Sequence, residues 1–451
     1  MLRPYQHQAI SELRVAYRQG SRAPLLVLPT GGGKTVVFSA IAHSAAARGR
    51  HVLILVHRRE LITQASAKLA SAGVSHGVIA AGQPAAEAQV QVASVQTLAR
   101  RLARIDLTPD LIVIDEAHHA VAGTWSSVLS HWPDAYRLGV TATPVRQDGR
   151  GLGSVFDRLV LGPTVAELVG EAFLTPATIY APPAVADLSG LKTRAGDYRI
   201  EQAADAMDRP TVTGDAISHY QRLCNHKRAI VFCCSTQHAD SVNTAFNRSG
   251  VPAATLLGTT PSEQRDQLVR QFAAGTIRAL VTVDVVSEGF DCPAAEAAIL
   301  LRPTQSEGLY LQQVGRVLRP APGKDAAIVL DHVGNVHRHG FPDDHRDWSL
   351  ADRERRTRAS AAAPTVRTCE VCFAAFPPQP ICPCCGTAAK LSAREIRQRD
   401  GELQELARDA VARSRRRDQG QARTLPELMA FAKQRGYSPG WAWKVHNARS
   451  R

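Results

Sequence analysis

Short apolar runs alternate with longer amphipathic stretches over roughly the first three quarters of the chain. The runs at Leu25–Leu28, His51–Val56 and Leu111–Ile114 predict buried parallel strands. The segments Lys34–Arg48 and Arg59–Ser71 between them predict helices. This alternation predicts an α/β fold, in which helices cover both faces of a parallel sheet.

The alternation weakens and then restarts, which predicts two such domains in tandem. It weakens through Pro176–Arg209, where prolines and a glycine break the pattern, and it resumes at Arg228–Cys233. A later stretch rich in charge, then in Ala, Ser and Pro, predicts a tether. The predicted organisation is a first domain at 1–165, a linker at 166–209, a second domain at 210–342, a tether at 343–366, a small cysteine module at 367–390 and a basic helical tail at 391–451.

Composition narrows the class of protein. The 451 residues are 44% hydrophobic and 21% charged, as in ordinary soluble proteins. A net charge of +13 favours an anionic partner such as nucleic acid, and residues 391–451 hold 14 Lys or Arg against 7 Asp or Glu. No run of eighteen apolar residues and no signal-type N-terminus is present, so we expect no membrane association and a cytoplasmic location.

A glycine-rich segment follows the first predicted strand and opens a predicted helix. Gly31 and Gly33 would let backbone N–H groups wrap phosphates, Lys34 would reach the β- and γ-phosphates, and Thr35 would offer its hydroxyl to Mg²⁺. The alternative is a glycine-rich turn that binds no ligand. Because Leu28 stands where a strict phosphate loop has its first glycine, the motif has the shorter Thr-Gly-x-Gly-Lys-Thr form.

Two acidic residues end another predicted strand. Asp115 could hold Mg²⁺ through its waters, and Glu116 could then polarise the attacking water. The alternative is that the pair only caps the strand.

Gln6 precedes the phosphate loop by about 25 residues. Its amide could bond both a donor and an acceptor on an adenine edge, or it could cap an N-terminal helix.

The second domain carries the pattern Gln312-x-x-Gly315-Arg316-x-x-Arg319. On a helix, two arginines three apart lie on one face, where they could reach across a cleft to the γ-phosphate. The alternative is a solvated basic helix face with no catalytic role. With the other motifs, Gln312, Arg316 and Arg319 are predicted to be catalytic.

Taken together, these motifs resemble those of a DEAH-type member of helicase superfamily two, and the resemblance covers roughly Leu2–Val333. It implies two RecA-like domains, bound ATP and Mg²⁺, and an ATP-driven motor on nucleic acid. The segment Thr141–Pro144 resembles the family's link between ATP state and domain closure. The segment Val283–Asp291 resembles the family's motif that touches both nucleotide and nucleic acid, and by that match Gly289 and Asp291 are expected near the ATP cleft.

Within the superfamily, the chain resembles the RadD-type bacterial DNA-repair ATPases. The grounds are the opening Leu2–Gln6, the sequence Asp331–Asn335 and the cysteines that follow. DNA is therefore the favoured partner, and repair proteins are possible partners. By motif position, the expected nucleic-acid contacts are His57, Arg58, Ser94, Gln96, Thr97, Ser235 and Thr236. The alternative for these residues is ordinary surface or helix capping.

Five of the nine cysteines fall within 17 positions, which in a cytosolic chain points to a metal site. Cys369 and Cys372, like Cys382 and Cys385, have the C-x2-C spacing with which two tight turns build a tetrahedral S₄ site. This favours structural Zn²⁺, with Cys384 as a spare. An iron–sulfur cluster and metal-free thiols are the alternatives.

The predicted function is an ATP-dependent DNA helicase or translocase. The rivals are a duplex remodeller that never separates strands, an RNA-directed motor, and a clamp that binds ATP without hydrolysing it. The presence of Glu116, Arg316 and Arg319 argues against the clamp.

Overall fold

A computed structural model describes residues 2–83, 88–146, 150–182, 193–194, 197–207, 210–224, 226–284, 292–352, 366–388, 424–435 and 442. The chain divides into two units, residues 1–390 and 391–451. Within the described ranges, no helix is long and apolar enough to cross a membrane.

Lobe one is a seven-stranded sheet in which every strand pair is parallel. Its strands are β1 Pro24–Val27, β2 Val52–Val56, β3 Gly77–Ile79, β4 Val90–Ser94, β5 Leu111–Asp115, β6 Tyr136–Thr141 and β7 Arg158–Leu161, in the order β3-β4-β2-β5-β6-β1-β7. β1 and β2 are buried along their whole length, as expected for strands covered on both faces. Parallel pairing places all seven carboxyl ends at one edge.

Lobe two is a six-stranded sheet, again parallel throughout. Its strands are β8 Ala177–Tyr180, β11 Ala229–Phe232, β12 Ala253–Leu256, β13 Ala279–Thr282, β14 Ala297–Leu300 and β15 Ala327–Asp331, in the order β12-β13-β11-β14-β15-β8. A two-stranded antiparallel sheet, β9 Thr193–Arg194 and β10 Asp197–Tyr198, belongs to the same region. The predicted pair of parallel-sheet α/β domains is confirmed.

Helices cover both faces of the sheets, and apolar clusters fill the space between them. In lobe one they are α1 Pro4–Arg18, α2 Lys34–Ala46, α3 Arg59–Ser71, α4 Val95–Arg101 and α5 Gly123–His131, and α6 Val165–Gly170 follows the last strand. In lobe two they are α7 Ile200–Met207, α8 Pro210–His219, α9 Thr236–Arg248, α10 Ser262–Ala274, α11 Glu307–Gly315 and α12 Asn335–His339. A π-helical turn, Tyr220–Cys224, continues α8.

The segment 166–209 is more than the linker that the sequence predicts. It contains β8, which pairs with β15 and forms one edge of the lobe-two sheet, and Ile179 is buried there. It also contains α7, whose Ala203 and Met207 join the core. Because β8 is an edge strand of four residues, its sequence pattern is too short to distinguish it from a loop.

Residues 342–352, here called the strap, run from lobe two back to lobe one. At the lobe-two end, Arg346 Nε donates to Glu307 Oε1 at 2.9 Å. At the lobe-one end, Gly153 N donates to Leu350 O at 2.9 Å and Gly151 N donates to Asp352 Oδ1 at 2.7 Å. The first ten residues of the predicted tether at 343–366 are therefore bound to both lobes. Residues 353–365 lie outside the described part of the chain.

The second unit is described only at 424–435 and 442. The helix α13, Leu425–Arg435, packs Leu428 and Ala432 against Ala442. The rest of the predicted basic helical tail lies outside the described residues.

Candidate active site

The phosphate loop is built from backbone at the carboxyl end of β1. Gly31 and Gly33 have φ of 88° and 80°, a conformation that side chains disfavour. A Cβ on Gly33 would lie 2.4 Å from Gln6 Nε2, and one on Gly31 would lie 2.9 Å from Leu174 Cδ2. The helix α2 then begins at Lys34, so its first N–H groups and its dipole face the loop. The local geometry suits a phosphate chain.

Gln6 braces this loop from α1. Its Oε1 accepts from Arg3 N at 2.9 Å, and its Nε2 donates to Gly32 O at 3.3 Å, while Tyr5 Oη donates to the same carbonyl at 3.0 Å. Gln6 thus makes the helix-capping contact that was the alternative to base recognition, and it also fixes the loop.

A cavity of about 530 Å³ opens between the lobes beside the loop. Its walls bring together the residues from both lobes that the sequence predicts to act on the nucleotide, namely Gly31, Gly33, Lys34, Thr35, Asp115, Glu116, Arg316 and Arg319. Gln6 and Gln312 are buried but do not line it. The predicted pair Gly289 and Asp291 lies outside the described residues.

Other residues of the wall were missed by sequence reasoning. Arg3, Gln64, Lys68 and Pro293 all face the cavity. The guanidinium of Arg3 lies 4.7 Å from the ring centre of Phe173. No local pattern marks these residues, because only the folded chain brings α1, α3 and the start of β14 to the loop.

The acidic pair at the end of β5 lies deep in the cleft. Asp115 and Glu116 are 4% and 5% exposed. Burial, and then the adjacent Glu116 carboxylate, raises the pKa of Asp115 to about 7, and Lys34 opposes that rise. A divalent cation would favour the ionised form of Asp115.

Glu116 has a left-handed backbone, with φ of 48°, which a non-glycine residue adopts at a cost of roughly 1 kcal/mol or more. Its Oε2 is buried and has no hydrogen-bond partner in the described structure, and His118 Nδ1 is 3.6 Å away. A buried carboxylate oxygen with unused acceptor capacity fits a water molecule held over a nucleotide.

The two arginines reach the cavity from a turn rather than from a helix face. The helix α11 ends at Gly315, so the expected helical placement of Arg316 and Arg319 is wrong. Pro320 follows directly and disfavours helix at Arg319. Arg316 is 5% exposed, and burial lowers the pKa of Arg319 to about 10, which leaves it charged at neutral pH.

Glycines permit the two lobes to touch. A Cβ on Gly315 would lie 2.5 Å from Thr30 Cβ in the phosphate loop, and one on Gly308 would lie 3.0 Å from Thr143 Oγ1. Thr143 N donates to Thr141 Oγ1 at 3.2 Å, and His118 Nδ1 lies 3.1 Å from the same hydroxyl. Contacts therefore run from the acidic motif through Thr141 and Thr143 to lobe two.

Comparisons with known proteins agree with this arrangement. Residues 1–146 match the family described as type III restriction enzyme, res subunit, and residues 215–321 match the helicase conserved C-terminal domain. A 51.5 kDa protein of a Lactococcus phage is 37% identical over 320 residues, which are 71% of this chain and 68% of the phage protein. The chain belongs to helicase superfamily two. It is accordingly a nucleic-acid-dependent ATPase.

One further relative and one solved structure that resembles the chain are both longer than the part that matches it. The Saccharomyces cerevisiae protein named "Putative ATP-dependent helicase IRC3" is 32% identical over 355 residues, 74% of this chain and 52% of the yeast protein. The fragment structure of "a putative HsdR subunit of a type I restriction enzyme" from Vibrio vulnificus shares the fold. It has a TM-score of 0.59 and 21% identity, and the match covers 75% of this chain and 67% of that one. The helicase thus spans about half of the yeast protein.

The predicted nucleic-acid residues of the helicase lie at carboxyl ends of strands. His57 and Arg58 follow β2, Ser94 ends β4, and Ser235 and Thr236 begin α9 after β11. Arg58 Nη1 donates to Asp284 O of lobe two at 3.1 Å.

Capping, the alternative for these positions, is present at two of them. Ser94 Oγ accepts from Thr97 N at 3.4 Å and donates to Gln96 Oε1 at 3.0 Å, and Ser235 Oγ accepts from His238 N at 3.2 Å.

The cysteine module of the helicase forms a candidate metal centre. The Sγ atoms of Cys369, Cys372, Cys382 and Cys385 all lie within 4.8 Å of one another, so the four could hold one metal ion. Two short strands, β16 Arg367–Thr368 and β17 Ala375–Phe376, support the first knuckle.

Cys384 stands outside the group of four. Its Sγ lies 3.8 Å from Tyr180 Oη. The module is docked on β8 of lobe two, where Ala181 N donates to Phe373 O at 3.0 Å and Tyr180 pairs with Ala374.

Proposed function

We propose that this chain is an ATP-dependent DNA helicase or translocase, in which hydrolysis closes and opens the cleft between the lobes. The observation that carries the proposal is the 530 Å³ cavity whose walls hold the phosphate loop, the acidic pair and both arginines. Since the walls come from both lobes, a nucleotide bound there would contact both at once. Binding and release would then alter how the lobes meet.

The roles follow from position and chemistry. Lys34 would bind the β- and γ-phosphates, with Gly31 and Gly33 as the backbone cradle. Thr35 and Asp115 would hold Mg²⁺, which supplies electrostatic stabilisation of the phosphates.

Glu116 would orient and deprotonate the attacking water, which its buried and unpartnered Oε2 suits. Arg316 and Arg319 would stabilise charge on the phosphoryl group, and Gln312, which is buried one turn earlier in the same motif, would assist them. Gln6 would hold Gly32 and so keep the loop in shape.

The close approach of Gly315 in lobe two to Thr30 in the phosphate loop gives a direct test. Gly315→Ala is expected to lower turnover by about tenfold or more while both lobes stay folded. The added Cβ would lie 2.5 Å from Thr30 Cβ, and overpacking of this kind costs about 1–3 kcal/mol, where about 1.4 kcal/mol is tenfold. Steady-state ATPase assays beside thermal unfolding measure it. Gly170→Ala, at a glycine with nothing within 4 Å, is the control. Parental turnover in Gly315→Ala would show that closure does not use this contact.

DNA is the proposed track because the first matched family is described as a restriction-enzyme subunit and the chain carries +13 net charge. The contacts would be made by His57, Arg58, Ser94, Gln96, Thr97, Ser235 and Thr236, which lie at the carboxyl edges of the two sheets. The basic segment 391–451 would add phosphate contacts. A RadD-type role in repair, with repair proteins as partners, remains a prediction on sequence motifs alone.

We further propose that the metal is Zn²⁺ and that the chain works in a reducing compartment such as the cytoplasm. None of the nine cysteines, all of which lie within the described residues, forms a disulfide, and four of them converge as a tetrahedral S₄ site requires.

Replacing Cys372 or Cys382 by serine is expected to reduce bound zinc from about one per chain to nearly none, because structural zinc needs four protein ligands. Cys384→Ser should keep the metal. Metal analysis by mass spectrometry measures this. Iron with visible absorbance, or full zinc retention in the ligand variants, would refute the assignment.

One experiment separates the rival activities. ATPase rate is measured against single-stranded, duplex, forked and RNA effectors, alongside strand displacement on the fork. Stimulation by DNA with strand displacement supports a helicase. Stimulation by duplex without displacement indicates a remodeller, and preferential stimulation by RNA indicates an RNA motor.

A further inference from the structure

A second cavity, of about 350 Å³, lies between the metal module and lobe two. It shares no wall residue with the nucleotide cleft. Its walls include four ring side chains, Tyr180, His219, His332 and Phe373, and Arg222 is among the remaining wall residues. None of these residues has a part in the proposed ATP chemistry.

Three of these rings form one group, in which the two histidines are stacked and Phe373 is tilted against His219. His219 and His332 lie 5.3 Å apart between ring centres and 20° from parallel, and Phe373 lies 6.1 Å from His219 at 43°. Burial lowers the pKa of His332 to about 4, and it also lowers the pKa of His219, so both rings are neutral at pH 7. Neutral aromatic faces stack well on a planar heterocycle.

His332 also presents an unused polar atom. Its Nε2 is buried and has no hydrogen-bond partner among the residues that the structure describes. A buried nitrogen without a partner costs about 1–3 kcal/mol. A neutral imidazole nitrogen can donate or accept, depending on its tautomer, so a ligand edge with either kind of group would satisfy it.

The backbone of Phe373 has a left-handed conformation, and the metal module does not require a residue with a side chain at this position. Its φ is 63°, and the equivalent residue of the second knuckle is Gly386, with φ of 72°. The two turns have the same hydrogen bond, Phe373 N to Cys369 O at 3.0 Å and Gly386 N to Cys382 O at 2.9 Å. Glycine is the residue that such a turn favours, and a side chain there costs roughly 1 kcal/mol or more. The strained position projects an aromatic ring onto the cavity wall.

The cavity lies at the edge of lobe two where nucleic acid is proposed to run. His332 directly follows β15, and Tyr180 ends the neighbouring strand β8. Ser235 follows β11, two strands from β15 in the same parallel sheet. Strand spacing places the two carboxyl ends on the order of 10 Å apart. A strand bound at Ser235 would therefore pass close to this cavity.

We propose that this cavity binds one unstacked base of the single strand that the motor follows. The base would stack on the Phe373–His219–His332 group and place its polar edge at His332 Nε2, while Arg222 would meet a phosphate. This inference rests on the proposed function.

The test scans an abasic site along a fluorescent single-stranded oligonucleotide and measures its affinity for the full-length protein. In the parent, one abasic position is expected to weaken binding by roughly 10- to 100-fold, as expected for loss of one stacked base. Phe373→Gly is expected to weaken binding of the intact strand by a similar factor and to be insensitive to that abasic position. Its zinc content should be unchanged, because glycine suits the turn. Phe373→Trp should restore binding.

Two controls keep the outcome decisive. Val371→Ala changes an exposed residue of the same knuckle, and it should bind as the parent does. His219→Ala changes no residue of the metal module and should reproduce the Phe373→Gly result.

If both ring variants bind the strand as tightly as the parent, or if they still bind more weakly at the abasic position, the base-binding inference is wrong while the motor function stands. If the parent binds no single strand at all, the base-binding inference is also wrong, and the ATPase measurements with the panel of effectors then test the motor function separately. If an aromatic peptide bound at this cavity, and the affinity for oligonucleotides did not depend on the base, the inference would also be wrong.

Discussion

Lys34→Ala is expected to abolish ATP hydrolysis, with turnover falling by at least about 10²-fold and ATP affinity falling with it. Lys34 is the first residue of α2 and lines the cleft beside Gly31 and Gly33. Its ammonium group supplies positive charge where the phosphate loop offers only backbone N–H groups. Without it, the β- and γ-phosphates would lose their charged partner in a cleft where charge-assisted hydrogen bonds are stronger than neutral ones.

Nucleotide binding by fluorescence, turnover by phosphate release and thermal unfolding together check this prediction. The unfolding midpoint should stay near that of the parent, since Lys34 is only half-buried and lies outside the apolar core. Lys227→Ala, which removes a lysine far along the chain that pairs with Glu296 at 3.6 Å, is the control. Hydrolysis at the parental rate in Lys34→Ala would mean that the loop does not hold phosphates.

Glu116→Gln should separate binding from chemistry. The amide keeps the shape of the side chain but cannot accept a proton, so ATP should still bind while turnover falls by about 10²-fold or more. The buried Oε2, with only His118 Nδ1 as near as 3.6 Å, is the acceptor that the change removes.

Single-turnover hydrolysis beside equilibrium nucleotide binding distinguishes these two effects. Glu12→Gln, at a half-buried residue of α1 whose side chain accepts an exposed hydrogen bond from Gln8, is the matched control and should change neither quantity. A purified Glu116→Gln variant with near-parental turnover would remove Glu116 from the role of base.

Local pattern was sufficient for the parts of the site that are contiguous in the chain. The apolar runs at β1, β2 and β5 are fully or almost fully buried, and the loop and acidic motif follow two of them directly. Strand-end chemistry of this kind depends on neighbours in sequence, so it can be predicted without a structure.

Features that depend on distant partners could not be predicted in the same way. The strand β8 has four residues, and only its pairing with β15 distinguishes it from a loop. The wall residue Arg3 is positioned by Phe173, and the strap by Gly151 and Gly153. The end of α11 is a different case, because Pro320 after Arg319 already argues against continued helix there.

The strap has a mechanical consequence. Within the part of the chain that the structure describes, the backbone passes between the lobes at two separate places, through the residues between β7 and β8 and again through the strap, which is held by the hydrogen bonds of Gly151 and Gly153. A body held at one point keeps three rotational degrees of freedom, whereas a body held at two points keeps only the rotation about the line that joins them. We therefore expect the two lobes to rotate relative to each other about a single axis, so that one angle describes the whole motion. A single angle would make the width of the nucleotide cleft and the separation of the two sheet edges change together, so that neither could be set without the other.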